Sequence, residues 1–188
     1  MTSLPRAGAC PGPAAGPSDS PVICEAAPGS ANTTARRLFV STSAHEYENL
    51  GSALFLEHLA PAPDETALWL HLGAGFAARD WHEAGGMLSP MPSADAQRFL
   101  VGPEQWLPEL RRCFAGIAGL EIPYPLSPET GGELREIWAA GHHGAIGALG
   151  AHRLHHLPED GPGNSNGRLI APVARAFADA CSALSATA

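Results

Sequence analysis

Residues 37–59 read RLFVSTSAHEYENLGSALFLEHL. Leu38-Phe39-Val40 is a short apolar run of the kind buried on both faces of a parallel sheet, and it predicts a strand from Arg37 to Thr42. Ser41-Thr42-Ser43 then leads into a segment whose apolar residues Leu50, Leu54, Phe55 and Leu59 recur at helical spacing, until Pro61 and Pro63 end it. Strand, turn and helix in that order are the repeating unit of an α/β domain.

The alternation continues downstream. Thr66 to Leu72 (TALWLHL) reads as a second strand with Leu68, Leu70 and Leu72 on one face and Ala67 and Trp69 on the other, and a strand apolar on both sides belongs inside a sheet. Gly73-Ala74-Gly75 closes it. The stretch 79–93, with Gly85-Gly86, Pro90 and Pro92, reads as loop. A weaker strand near Arg98 to Val101 precedes a helix from about Pro103 to Ile117, and Ile122-Pro123-Tyr124 is a short extended piece. Gly131-Gly132 opens a helix through Trp138, and Ala145 to Leu149 is a strand of small residues. Leu169, Val173, Phe177, Ala180 and Leu184 make a continuous stripe on a last helix from about Arg168 to Leu184. The expected fold class is α/β: a three-layer αβα domain over residues 36–188 with a largely parallel central sheet. Residues 1–35, dense in Pro, Gly, Ala and Ser and without apolar periodicity, are expected to be a disordered leader.

Composition bounds the function. The chain has 188 residues, 45% apolar and 16% charged, enough for one self-sufficient core. Its 11 basic residues are all arginine and face 19 carboxylates, for a formal charge of -8. Only Arg36-Arg37 and Arg111-Arg112 are adjacent, so no basic stripe exists to neutralise phosphates, and nucleic acid is not an expected partner. No apolar run approaches the ~20 residues of a membrane span, nor do the first thirty residues offer a secretory core, so neither a membrane nor export is expected and the cytoplasm is the expected compartment. Cys10, Cys24, Cys113 and Cys181 form no C-x-x-C pair, which excludes a zinc ribbon or dithiol motif from sequence neighbours and reads as reduced thiols.

Nine histidines are about twice an ordinary share for this length, and three segments put polar residues next to strands, where α/β sheets gather ligands. Ser43-Ala44-His45-Glu46 follows the first strand; a His and a Glu there can supply a metal ligand and a general base, or Glu46 can simply complement a helix dipole. His152-Arg153-Leu154-His155-His156-Leu157-Pro158-Glu159-Asp160-Gly161 follows the Ala145–Leu149 strand. Neighbours on an extended segment point opposite ways, so this loop is expected to offer one histidine ligand, with Glu159 or Asp160 as its carboxylate partner or as a helix cap. His142-His143, before the same strand, reads as structural.

Leu38-Phe39-Val40-Ser41-Thr42-Ser43-Ala44-His45-Glu46-Tyr47-Glu48-Asn49-Leu50-Gly51-Ser52 and, later, His155-His156-Leu157-Pro158-Glu159-Asp160 resemble two motifs of the co-catalytic zinc aminopeptidases, a family that includes glutaminyl cyclases and glutamate carboxypeptidases. There a "vvFvafd" strand is followed by G-E-E-x-G-L-x-G-S, and Y/F-H-T-P-E-D-T precedes a long amphipathic helix. The segment Leu169 to Phe177 is similar to that helix, and Ala140-Gly141 stands in register with an A-G-I-P-A-I stretch, so the resemblance spans about residues 37 to 184. It implies zinc as cofactor, Glu46 and His156 as metal ligands and His45 at the position of the general base, as base, as ligand or as an inert replacement. Gly73 stands where the family has an Asp ligand, with His71 and Asp80 as the neighbouring donors, and residues 1–35 contain no H-x-D. The resemblance therefore implies a truncated, degenerate member, with an impaired ancestral peptide-bond hydrolysis, a peptide or small amino-acid-derived substrate if active, and an exposed sheet edge that invites self-association. Two alternatives stand beside it: a non-catalytic binding or scaffold protein of the same fold, and a protein holding one metal ion through its His-rich loop.

Overall fold

The computed structural model describes residues 22–26 and 37–185, and the chain divides into two units, Met1–Ala60 and Pro61–Ala188. The leader expected over residues 1–35 lies outside the described residues except for Val22–Ala26, which is a strand.

In the first unit that strand, β1 (Val22–Ala26), pairs antiparallel with β2 (Arg37–Ser41), from Val22 opposite Ser41 to Ala26 opposite Arg37. The expectation that the Leu38–Val40 run is buried on both faces of a parallel sheet is corrected here. Leu38 and Val40 are half-buried, while Phe39 is 58% exposed, the alternation of an antiparallel pair with one covered face. Helix α1 (Leu50–His58) follows as expected, but its buried residues are Gly51, Ser52 and Phe55, whereas Leu50, Leu54 and Leu59 are exposed. Gly51 explains the choice of face. A Cβ there would lie 2.2 Å from the Ser43 carbonyl oxygen, so the helix start rests directly on the backbone of the preceding turn.

The second unit is mixed α/β. Its sheet contains β3 (Trp69–Leu72), β6 (Arg98–Gly102), β7 (Tyr124–Pro125) and β8 (Ala145–Gly150) in the order β3-β8-β6-β7. The β3–β8 and β6–β7 pairs are parallel and the β6–β8 pair antiparallel, so the sheet is mostly parallel. The small-residue strand β8 takes a central position. β3, expected inside the sheet, is instead an outer strand with Leu70 and Leu72 exposed. Small side chains suit the centre because helices can then approach closely from both sides. Ile146 and Ala148 join the core with α2 (Leu107–Cys113) and α4 (Gly167–Ser185), while a Cβ on Gly147, pointing the other way, would meet Leu134 of α3 (Leu134–Ala139) at 2.8 Å.

The core joins Leu100, Leu110, Phe114, Leu120, Ile146, Ala148, Val173, Ala176, Phe177, Ala180 and Leu184. The rings of Phe114 and Phe177 meet edge to face, 4.9 Å between centroids. The α4 stripe is buried as its periodicity predicts, and Pro172 lies inside the helix, where it leaves the Arg168 carbonyl without its i+4 donor.

The loop expected over 79–93 is a hairpin. Strands β4 (Arg79–Ala84) and β5 (Met87–Ala94) pair antiparallel around Gly85-Gly86, whose φ values of 58° and 75° are those that a two-residue type I′ turn demands. Pro90 and Pro92 are compatible with β5 because the strand pairs on one side only.

Candidate metal centre

The His-rich loop leaves the carboxyl end of β8, where the strand is tied to its neighbours by the Gly150 N–H donating to Ala74 O at 2.8 Å. Asp95, buried just ahead of β6, accepts the Arg153 N–H at 3.3 Å, and the Arg153 guanidinium pairs with Glu83 of the hairpin. Further on, the Ser165 hydroxyl donates to Ala77 O at 2.8 Å. The loop is thus fastened at both ends to the stretch between β3 and β6.

Between these fastenings the backbone turns repeatedly. The N–H groups of His155, Leu157 and Asp160 donate to the carbonyls of His152, Leu154 and Leu157 at 2.9, 3.0 and 2.9 Å. The extended course assumed from the sequence is therefore corrected: a turn brings residues three apart to one side, and buried Leu154 anchors it. His152, His155 and Asp160 each present a ligand atom, all within 4.8 Å of one another. His152 Nε2 stands 3.2 Å from Asp160 Oδ2. A tetrahedral ion with bonds of about 2.1 Å separates its donors by roughly 3.4 Å, so this pair already has the required spacing. His152 is 8% exposed, and its Nδ1 is buried with no hydrogen-bond partner. Two imidazoles and one carboxylate suit zinc and related transition ions, and three protein donors leave a coordination position for water or another ligand.

The residues singled out by resemblance stand as follows. His45 and Glu46 are exposed in the first unit, on a turn closed by the Asn49 N–H donating to His45 O at 3.0 Å. Glu46 precedes α1, whose first turn holds no acidic residue. His156 belongs to the second unit, exposed, with a left-handed backbone (φ 63°) and its ring 3.9 Å from that of His155; it adjoins the donor group without forming part of it. His71 Nε2 lies 3.7 Å from Glu133 Oε2, and the Asp80 carboxylate accepts the Trp81 N–H at 2.7 Å. His142 and His143 pack on Trp69 and Trp138, with centroids 4.8 and 4.3 Å apart, and burial holds His142 below the usual histidine pKa. The combination of His152 with His155 falls within the alternative of one ion held through the His-rich loop; the single-ligand expectation for that loop missed it, although the i, i+3 histidine spacing ahead of Pro158 and Gly161 was its signal.

Compared with known proteins, the chain matches no family model, no curated protein and no solved structure. Among the described residues, no helix is long and apolar enough to cross a membrane.

Proposed function

We propose that the chain binds one divalent transition-metal ion, zinc foremost, through His152, His155 and Asp160. The observation that carries this reading is the convergence of two imidazoles and a carboxylate within 4.8 Å on a loop fastened at both ends. Burial supports the reading too, because His152 is 8% exposed and holds its Nε2 toward Asp160 without a free choice of rotamer. The test is a zinc titration of chelator-treated protein by calorimetry. One equivalent is expected to bind the unaltered chain, to be lost in His152→Ala and Asp160→Ala, and to survive in Glu46→Ala. No binding at micromolar zinc overturns the reading.

A second, hydrolytic reading of the same ion is favoured by its location after the carboxyl ends of the parallel β3–β8 pair, the end at which α/β enzymes bind substrates. In that reading the chain is a zinc-aminopeptidase-like, three-layer protein, and an ion held by His152, His155 and Asp160 would supply Lewis-acid activation of water against a peptide or small amino-acid-derived substrate. Chelator-sensitive cleavage of aminoacyl p-nitroanilides is the expected outcome, and absence of turnover in zinc-loaded protein sinks it.

A further inference from the structure

We infer that Asn164 is a positioning residue that confines Asp160 to one-oxygen coordination and so sets the ion's coordination number; this rests on the metal-binding reading above. Asn164 is 7% exposed and belongs to the tight turn Pro162–Asn164. Its Nδ2 donates to Asp160 Oδ1 at 2.8 Å and to the Glu159 carbonyl at 3.2 Å. Both partners are pure acceptors, so the amide has one possible orientation, with nitrogen toward the carboxylate.

The two carboxylate oxygens of Asp160 are thereby given different tasks. Oδ1 is held by the amide, and Oδ2 faces His152 Nε2 at 3.2 Å. Each carboxylate oxygen has two lone pairs, so the amide does not exhaust Oδ1, but it holds the group with Oδ2 toward His152 and makes Oδ2 the oxygen presented to an ion. Two nitrogens and one oxygen then leave room for one more ligand in a four-coordinate site, which zinc and cobalt accept and which calcium, with its 6–8 oxygen ligands, does not. Asn164 itself is held in place, its N–H donating to Gly161 O at 2.9 Å and the next residue bonding Ala77.

The experiment loads the full chain with Co2+ and records the visible d–d spectrum, followed by X-ray absorption of the zinc-loaded unaltered protein. The unaltered chain is expected to give the intense bands of a four-coordinate ion and no short metal–carbon distance from a bidentate carboxylate. Asn164→Ala and the near-isosteric Asn164→Leu are expected to weaken metal binding about 10–100-fold and to lower the band intensity as the freed oxygen raises the coordination number. Circular dichroism in chelator separates these effects from misfolding. If the variants bind with unchanged affinity and spectrum, or if the unaltered chain shows a bidentate carboxylate, the inference is overturned while metal binding stands. If the unaltered chain binds no ion, both fall together.

Discussion

Asp95 accepts the backbone N–H of Arg153 at 3.3 Å through Oδ2, bridging 58 residues of sequence, while its Oδ1 takes the Gln97 N–H at 2.8 Å. One buried carboxylate therefore joins the start of β6 to the start of the His-rich loop. Asp95→Ala leaves both N–H groups without this acceptor, and the expected loss is about 2–3 kcal/mol of unfolding free energy, measured in urea, with zinc affinity falling about tenfold as the loop start loosens. Asp95→Asn keeps one acceptor and is expected to lose roughly half as much.

An ion that binds only the folded chain raises its melting temperature by mass action. Zinc at about 100 times its dissociation constant is expected to add roughly 2.7 kcal/mol, visible as an upward shift in a thermal melt. The shift is expected to vanish in His155→Ala. An equal shift in that variant would assign the stabilisation to another part of the chain.

The buried face of α4 and the exposed face of α1 make a controlled contrast. Phe177 is 3% exposed and meets Phe114 edge to face, so Phe177→Ala is expected to cost about 3–5 kcal/mol. Leu54 is 40% exposed, and Leu54→Ala is expected to stay within about 0.5 kcal/mol of the unaltered chain, although the sequence puts both leucine and phenylalanine on apolar stripes. Chemical denaturation of the two variants decides the matter.

His142 provides the pH dependence. Burial first, and the neighbouring His143 second, hold its imidazole below the ordinary 6.5. As pH falls, the unfolded chain takes up this proton before the folded one does, so the associated stability is complete above about 6.5 and declines as pH drops toward the lower folded value. His142→Phe keeps a ring against Trp69 and is expected to flatten this part of the stability curve below about pH 6.5. Parallel curves for the two proteins would show that His142 does not contribute.

Elements were legible in the sequence where a local period and a buried face coincide. Leu169, Val173, Phe177, Ala180 and Leu184 fall on one side of a helix, and that side is the one the core covers. On α1 the period was right and the face only in part: Phe55 is buried, but Leu50, Leu54 and Leu59 are exposed, because a glycine's close approach to the Ser43 backbone turned the buried side. Strand order was illegible: nothing in TALWLHL distinguishes an outer strand from an inner one, since that depends on partners far along the chain. The hairpin was hidden because Pro90 and Pro92 argue against a strand unless it pairs on one side alone, although Gly85-Gly86 is itself a hairpin turn signal. At the candidate centre, the histidines and the carboxylate were visible as residue types, but their convergence depends on successive turns and on Asn164 bonding back to Asp160.

The loop from Ala151 to Asn166 leaves a central strand and runs directly into the helix that closes the core. Both ends are immobilised when this unit folds, so the loss of chain freedom needed to gather three donors is incurred during folding, not when an ion arrives. If the proposed ion binds, its capture would then be docking onto donors already gathered, and its rate is expected to follow how quickly the ion sheds its own water.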